Sequence, residues 1–131
     1  MAAARGNIAG VGIDIVAIDR VWTLWVENHS RFKECILTEL EIELMPFGRL
    51  KREEHLATRF AAKEATIKVL SLSNSVPYEL NDIEVVGDRQ VTVQVAGHLR
   101  ARAEALGFGK ITGSCSVAGR IAVAVVMGES A

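Results

Sequence analysis

E-E-H-L-A-T-R-F-A-A-K-E-A-T-I-K-V-L, Glu53 to Leu70, is the stretch on which the fold turns. Leu56, Phe60, Ile67 and Leu70 recur at spacings of four, seven and three, the period of an amphipathic α-helix. At about 100° per residue, Lys63 falls inside that apolar stripe, and Glu64 and Lys68 run along its flank. Ala57, Ala61 and Ala65 follow one another at every fourth position and allow a second element to come close. The spacing predicts one long helix with an apolar face to cover.

Strands are available to cover it. Ile8 to Ile18 reads I-A-G-V-G-I-D-I-V-A-I, β-branched and nearly continuous in apolar character, as in a buried strand. Asp19 is placed to cap a following helix whose apolar face is Val21, Trp22, Leu24 and Trp25, with the two Trp read as core packing. Arg31 to Leu37 is a short mixed segment. Thr38 and Glu41 make a Thr-x-x-Glu capping box that opens a helix ended by Pro46 and Gly48. Arg49 to Glu54 is charged, a solvated connection or a first turn. Pro77 lies in the polar Ser71 to Tyr78 stretch that stops the long helix. Asp82 to Val86 and Gln90 to Ala96 form a hairpin around Gly87-Asp88-Arg89. Gly97 to Leu106 is a short helix stopped by Gly107. Ile111 to Val117 and Arg120 to Met127 are two further strands; the last is so apolar that it should be central and covered on both faces. The pattern is α+β, an antiparallel sheet packed on a long helix, with residues 1–131 forming one domain.

Composition narrows the function. The chain has 131 residues, half of them hydrophobic, and a net charge of −1. That balance gives no electrostatic case for nucleic acid, and 5% aromatics give no base-stacking platform. The longest apolar run, Ile121 to Met127, has seven residues against the roughly 20 that a membrane helix needs. Met1 to Gly10 lacks a secretory apolar core, and Cys35 and Cys115 read as free thiols, so a cytoplasmic location is expected. His29, His55 and His98 have no metal-ligand spacing.

Three features carry chemistry. Asp14 interrupts an apolar strand, where a carboxylate needs a cation or donors, unless it sits half-exposed at a sheet edge. Lys63-Glu64 is followed one turn later by Lys68, which an ordinary i,i+4 pair also explains. Ser114 and Ser116 flank Cys115 on a strand, where small residues are unremarkable.

Taken together, G-V-G-I-D-I-V-A-I-D-R (Gly10 to Arg20), R-F-K-E-C-I-L-T-E-L-E (Arg31 to Glu41) and H-L-A-T-R-F-A-A-K-E-A-T-I-K-V-L (His55 to Leu70) resemble the holo-acyl-carrier-protein synthases, the small 4′-phosphopantetheinyl transferases. The D-I-E-V-V segment (Asp82 to Val86) and the A-V-A-V-V strand (Ala122 to Val126) fall where that family has its own. The resemblance implies transfer of 4′-phosphopantetheine from coenzyme A to a serine of an acyl carrier protein, with release of adenosine 3′,5′-bisphosphate. It implies Mg²⁺ bound by Asp14 and Glu64, which suits magnesium's preference for few carboxylates plus waters and phosphates. It implies catalytic roles for Glu64 and Lys68. Lys68, Lys63, Ser114 and Ser116 are then the coenzyme-binding candidates, with snorkelling as the other reading of Lys63. Arg20 and Arg31 would grip the acidic carrier, and the active sites would lie between the subunits of a homotrimer. Glu64, Glu41 and a metal-bound water remain open as proton acceptor.

Two stretches depart from the family. Where it has H-x-S-x-[ST]-H, this chain has T-G-S-C-S-V, with Thr112 and Val117 at the histidine positions. Where it has G-T-G after the long helix, this chain has Ser71, Leu72 and Ser73. The other reading is therefore a non-catalytic member that binds coenzyme A or a carrier protein.

Overall fold

The computed structural model describes residues 7–72 and 76–131, so Ser73 and the first six residues lie outside the described part. In chain order the elements are β1 (Ile8–Ala17), α1 (Ile18–Glu27), α2 (His29–Cys35), α3 (Glu39–Glu43) and α4 (Arg49–Leu70). A 3-10 turn (Leu80–Asp82) leads to β2 (Ile83–Gly87), β3 (Gln90–Val95), α5 (Gly97–Ala105), β4 (Phe108–Ala118) and β5 (Ile121–Ser130). The five strands form one antiparallel sheet in the order β1-β5-β4-β3-β2. The α+β architecture is the one the hydrophobic pattern implies.

Helix α4 lies across one face of this sheet. Its Ala61, Ala62, Ala65 and Leu70 pack on Val85, Val93, Ile111, Ala124 and Val126. Its N-terminal half, through Leu56 and Ala57, packs on Ile18, Val21, Trp25 and Phe32 of α1 and α2. The small residues allow a close crossing with β1. A Cβ at Gly12 would fall inside contact distance of the Ala65 carbonyl oxygen, so only glycine lets the strand run this near the helix. Because side chains alternate along a strand, Asp14 emerges on the same face two residues later.

Three expectations need correction. β1 is not a buried strand but an edge strand whose outer face is bare: Val11, Ile13 and Ile15 are 55%, 52% and 62% exposed. β5 is central, and its inner residues Ala122, Ala124 and Val126 are buried, but outward-facing Val123, Val125 and Met127 are only half-buried. Asp19 does not cap α1; the helix begins at Ile18 behind Ala17, and Asp19 pairs instead with Arg120 of the β4–β5 turn. The charged stretch from Arg49 is the first turn of α4, held by Glu53, whose Oε1 lies 3.0 Å from Arg49 Nε and whose Oε2 lies 2.8 Å from Arg120. The Thr38–Glu41 capping box forms at α3 as the sequence spells it.

Candidate active site

Asp14 of β1 and Glu64 and Lys68 of α4 meet where the edge strand crosses the helix. The Lys68 Nζ donates to Asp14 Oδ1 at 3.0 Å and to the Ile13 carbonyl at 2.8 Å. The Asp14 side chain is 17% exposed and that of Lys68 is 55% exposed, so the cluster opens to solvent on the lysine side. Burial pushes the Glu64 carboxyl above its ordinary value, and the neighbouring Asp14 charge adds to this against the pull of Lys68. Two neighbouring carboxylates with a single exposed ammonium beside them form a site short of positive charge. That donor set fits a magnesium ion that draws the rest of its shell from water and phosphate oxygens. Among the described residues no group of three or more His, Cys, Asp or Glu gathers around a metal position, so a protein-only cage is not what the chain offers.

Lys63 is in a different place. Its Nζ lies wholly inside the protein, donating to Glu41 Oε1 at 2.6 Å and to the carbonyls of Ile36 and Leu80. All three ammonium protons are used, so Lys63 is a structural cation and not a ligand for coenzyme phosphates. Nor does it snorkel. Glu41 is equally committed, since Oε1 also accepts from Thr38 N–H and Oε2 accepts from Val85 N–H at 2.9 Å. That removes Glu41 as a proton acceptor for any bound substrate.

A second feature opens on the other side of α4. A cleft of about 930 Å³ is bounded by Leu44, Pro46, the α4 residues Lys51, His55 and Arg59, the β2–β3 turn at Asp88 and Arg89, and the end of β4 at Cys115, Ser116 and Val117. Arg59 is the residue the sequence reading missed. It is 5% exposed, its guanidinium donates to the Gly87 carbonyl and to Thr58 Oγ1, and its Nε has no partner among the described residues. Burial lowers its affinity for its proton, partly offset by the charges of Glu41 and Asp88. A largely buried guanidinium in a cleft wall is suited to an anion. The arginine in R-F-A-A-K-E was visible in the sequence, but nothing in its helical position separates it from a solvated residue.

Ser114 and Ser116 are exposed on β4, on the sheet face opposite α4, next to the bare apolar surface of β5 and β1. They are therefore not brought to Asp14 and Glu64 within one chain. Arg20 in the first turn of α1 and Arg31 in α2 are both exposed, and neither forms an ion pair among the described residues. Val117 stands in the cleft wall where the family motif has histidine, and Thr112 donates to Glu129 Oε2 at 3.1 Å. Ser71 caps α4 in the left-handed region at φ 48°. Both cysteines are free thiols.

Residues 10–126 match the family described as the 4′-phosphopantetheinyl transferase superfamily. Over 84 residues the chain is 44% identical to the holo-[acyl-carrier-protein] synthase of Halalkalibacterium halodurans, covering 63% of this chain and 70% of that one. It is 35% identical over 126 residues to the enzyme of the same name from Vibrio atlanticus, covering 94% of this chain and 98% of the relative. Its fold is similar to that of the Bacillus anthracis holo-(acyl-carrier-protein) synthase solved in complex with CoA (3′,5′-ADP), with a TM-score of 0.69, 29% identity and coverage of 98% and 100%.

Proposed function

Given that the chain belongs to the 4′-phosphopantetheinyl transferase superfamily, we propose that it moves 4′-phosphopantetheine from coenzyme A to a serine hydroxyl of an acyl carrier protein in a magnesium-dependent reaction that releases adenosine 3′,5′-bisphosphate. The observation that carries this reading is the convergence of Asp14, Glu64 and Lys68 at one solvent-open point. Magnesium held by Asp14 and Glu64 supplies charge neutralisation at the coenzyme pyrophosphate. Lys68 adds a mobile positive charge at the same place. The serine oxygen attacks the phosphorus that bears the pantetheine, and the phosphoanhydride bond to the nucleotide breaks. The serine proton needs an acceptor. Glu41 is used internally, which leaves Glu64 and a metal-bound water as the acceptors for this proton.

The arginine-lined cleft and the acid pair lie on different sides of α4. Glu64 is five residues beyond Arg59, roughly 140° around the helix. The cleft suits the nucleotide phosphates, with Arg59, Arg89 and Lys51 as cations. One coenzyme touching both places must then bridge two copies of the chain. The bare apolar strip of Val11, Ile13 and Ile15 beside Val123, Val125 and Met127 supports such an assembly, a homotrimer in this reading. Ser114, which borders that strip, would contribute to the coenzyme site of a neighbour, and Ser116 to the cleft of its own chain. Arg20 and Arg31, free of internal pairing, would meet the acidic carrier, and the reaction would take place in the cytoplasm. No described helix is long and apolar enough to cross a membrane.

The deciding experiment is mass spectrometry of an apo carrier protein incubated with this protein, coenzyme A and magnesium. A gain of one phosphopantetheine on the carrier is the expected result. Tight coenzyme binding without that gain is the result expected of a non-catalytic member, and would overturn the reading. The shared site has its own check. Asp14→Ala and Arg59→Ala chains, each inactive alone, should regain activity when mixed and reassembled, because some interfaces then carry both intact halves.

A further inference from the structure

The cleft beside Arg59 contains a histidine that no step above uses. His55 sits about one helical turn before Arg59, about 6 Å along the axis. It is buried, and its Nε2 lies 3.1 Å from the Glu41 carbonyl oxygen. A carbonyl oxygen can only accept, so Nε2 must carry the hydrogen. In the neutral ring this leaves Nδ1 as a bare acceptor, and no described residue bonds to it.

The ring stays neutral. Burial lowers its pKa from 6.5 to about 4, and the Arg59 charge pushes the same way, against weaker opposing effects from Glu41 and Asp88. His55 therefore presents one fixed acceptor to the cleft, not a charge. Its surroundings differ from those of Arg59. The lip near the N-terminal half of α4 carries apolar Leu44 and Pro46 beside Lys51 and Glu54, while Arg59 and Arg89 hold the guanidinium end of the cleft. Phosphates belong with the guanidiniums; a flat heterocycle belongs between the apolar lip and the His55 wall.

We propose that His55 is the residue that selects the coenzyme's base, accepting a hydrogen bond at Nδ1 from the exocyclic amino group of adenine. The assignment rests on placing the nucleotide in this cleft, as argued above. A 6-oxo purine turns an acceptor toward the same atom, so two lone pairs face each other in a poorly hydrated wall. An unmet buried polar contact of this kind weakens binding by roughly 5- to 150-fold. His55 thus acts on substrate choice and not on the chemical step.

The test is calorimetric binding of adenosine 3′,5′-bisphosphate and of inosine 3′,5′-bisphosphate to the wild-type protein and to His55→Gln. Glutamine places an amide N–H near the position of Nε2, keeping the bond to the Glu41 carbonyl, but puts no acceptor at Nδ1. The wild-type protein should prefer the adenine nucleotide at least fivefold. His55→Gln should bind the two within about twofold of each other. A His55→Phe variant, with thermal melting to confirm folding, should show the same loss of preference. Equal weakening of both nucleotides, or a preference that survives in both variants, overturns the assignment and makes His55 structural. If neither nucleotide binds the wild-type protein, the placement of the nucleotide in the cleft fails, and the assignment fails with it.

Discussion

Two lysines five residues apart on α4 have opposite fates. Lys63 is wholly buried and spends every proton on Glu41, Ile36 and Leu80; Lys68 is more than half exposed and reaches across to Asp14. Both are lysines paired with a carboxylate, and both flank Glu64. The physical difference is solvent. A desolvated ion pair is held by the surrounding fold, and losing one partner strands the other in a medium that cannot solvate it. A wet pair contributes little to stability and keeps its charge available to a ligand. The Lys63 pair ties α3 to α4 and, through the Val85 N–H bond to Glu41, to β2. The Lys68 pair binds little structure together, and so can serve a reaction.

The largest expected effect separates the two directly. Lys63→Met should destabilise the protein by about 3–5 kcal/mol, read as a fall in the urea midpoint, because Glu41 keeps its charge without its cation. Adding Glu41→Gln should recover part of that loss. Lys68→Ala should move stability by less than about 1 kcal/mol. If the two lysines cost the same, the distinction between a structural and a working ion pair is wrong.

Next come the acids. Asp14→Ala and Glu64→Gln should each lower transfer by about 10²- to 10³-fold, measured by carrier-protein mass gain, with melting temperature held or slightly raised. Near-normal turnover in either variant at low magnesium would remove the acid pair from the chemistry.

The third effect is smaller and concerns pH. His55 bonds the Glu41 carbonyl and so belongs to the structural region. Its folded pKa, about 4, lies below the unfolded value of 6.5, so the unfolded chain binds the extra proton first as pH falls. Its stabilising contribution is complete above pH 6.5 and is lost progressively down to about pH 4, by about 3 kcal/mol in all. Denaturant midpoints at pH 7 and pH 4.5 should show this fall, and His55→Gln should flatten it.

The smallest effect lies at the Lys68 end. Ser71, whose N–H donates to the Lys68 carbonyl at 3.1 Å, holds a left-handed conformation that suits glycine. Ser71→Gly should raise stability by about 0.5–1 kcal/mol. A loss instead would mean that the Ser71 hydroxyl contributes more to this helix end than its backbone strain takes away.

Much of this was legible in the chain itself. The four-residue spacing of Ala57, Ala61 and Ala65 announced a helix made for close contact, and Gly12 proved to be what comes close. The Thr38–Glu41 box and the Gly87-Asp88-Arg89 turn are local devices, set by residues within a few positions of each other, and they formed as written. Asp14 could be picked out because a carboxylate in an apolar strand demands a partner, whereas Glu64 and Lys68 were tied to it by the family resemblance. Tertiary structure alone decided which of two similar lysines would be dry, which carboxylate would be consumed inside, and that Arg59 would line a cleft. It also decided that β1 would show its isoleucines to solvent. The reason is that helical and strand periods fix which side chains share a face, a property of the local backbone. What covers that face, and so whether a charge is solvated, depends on elements tens of residues away.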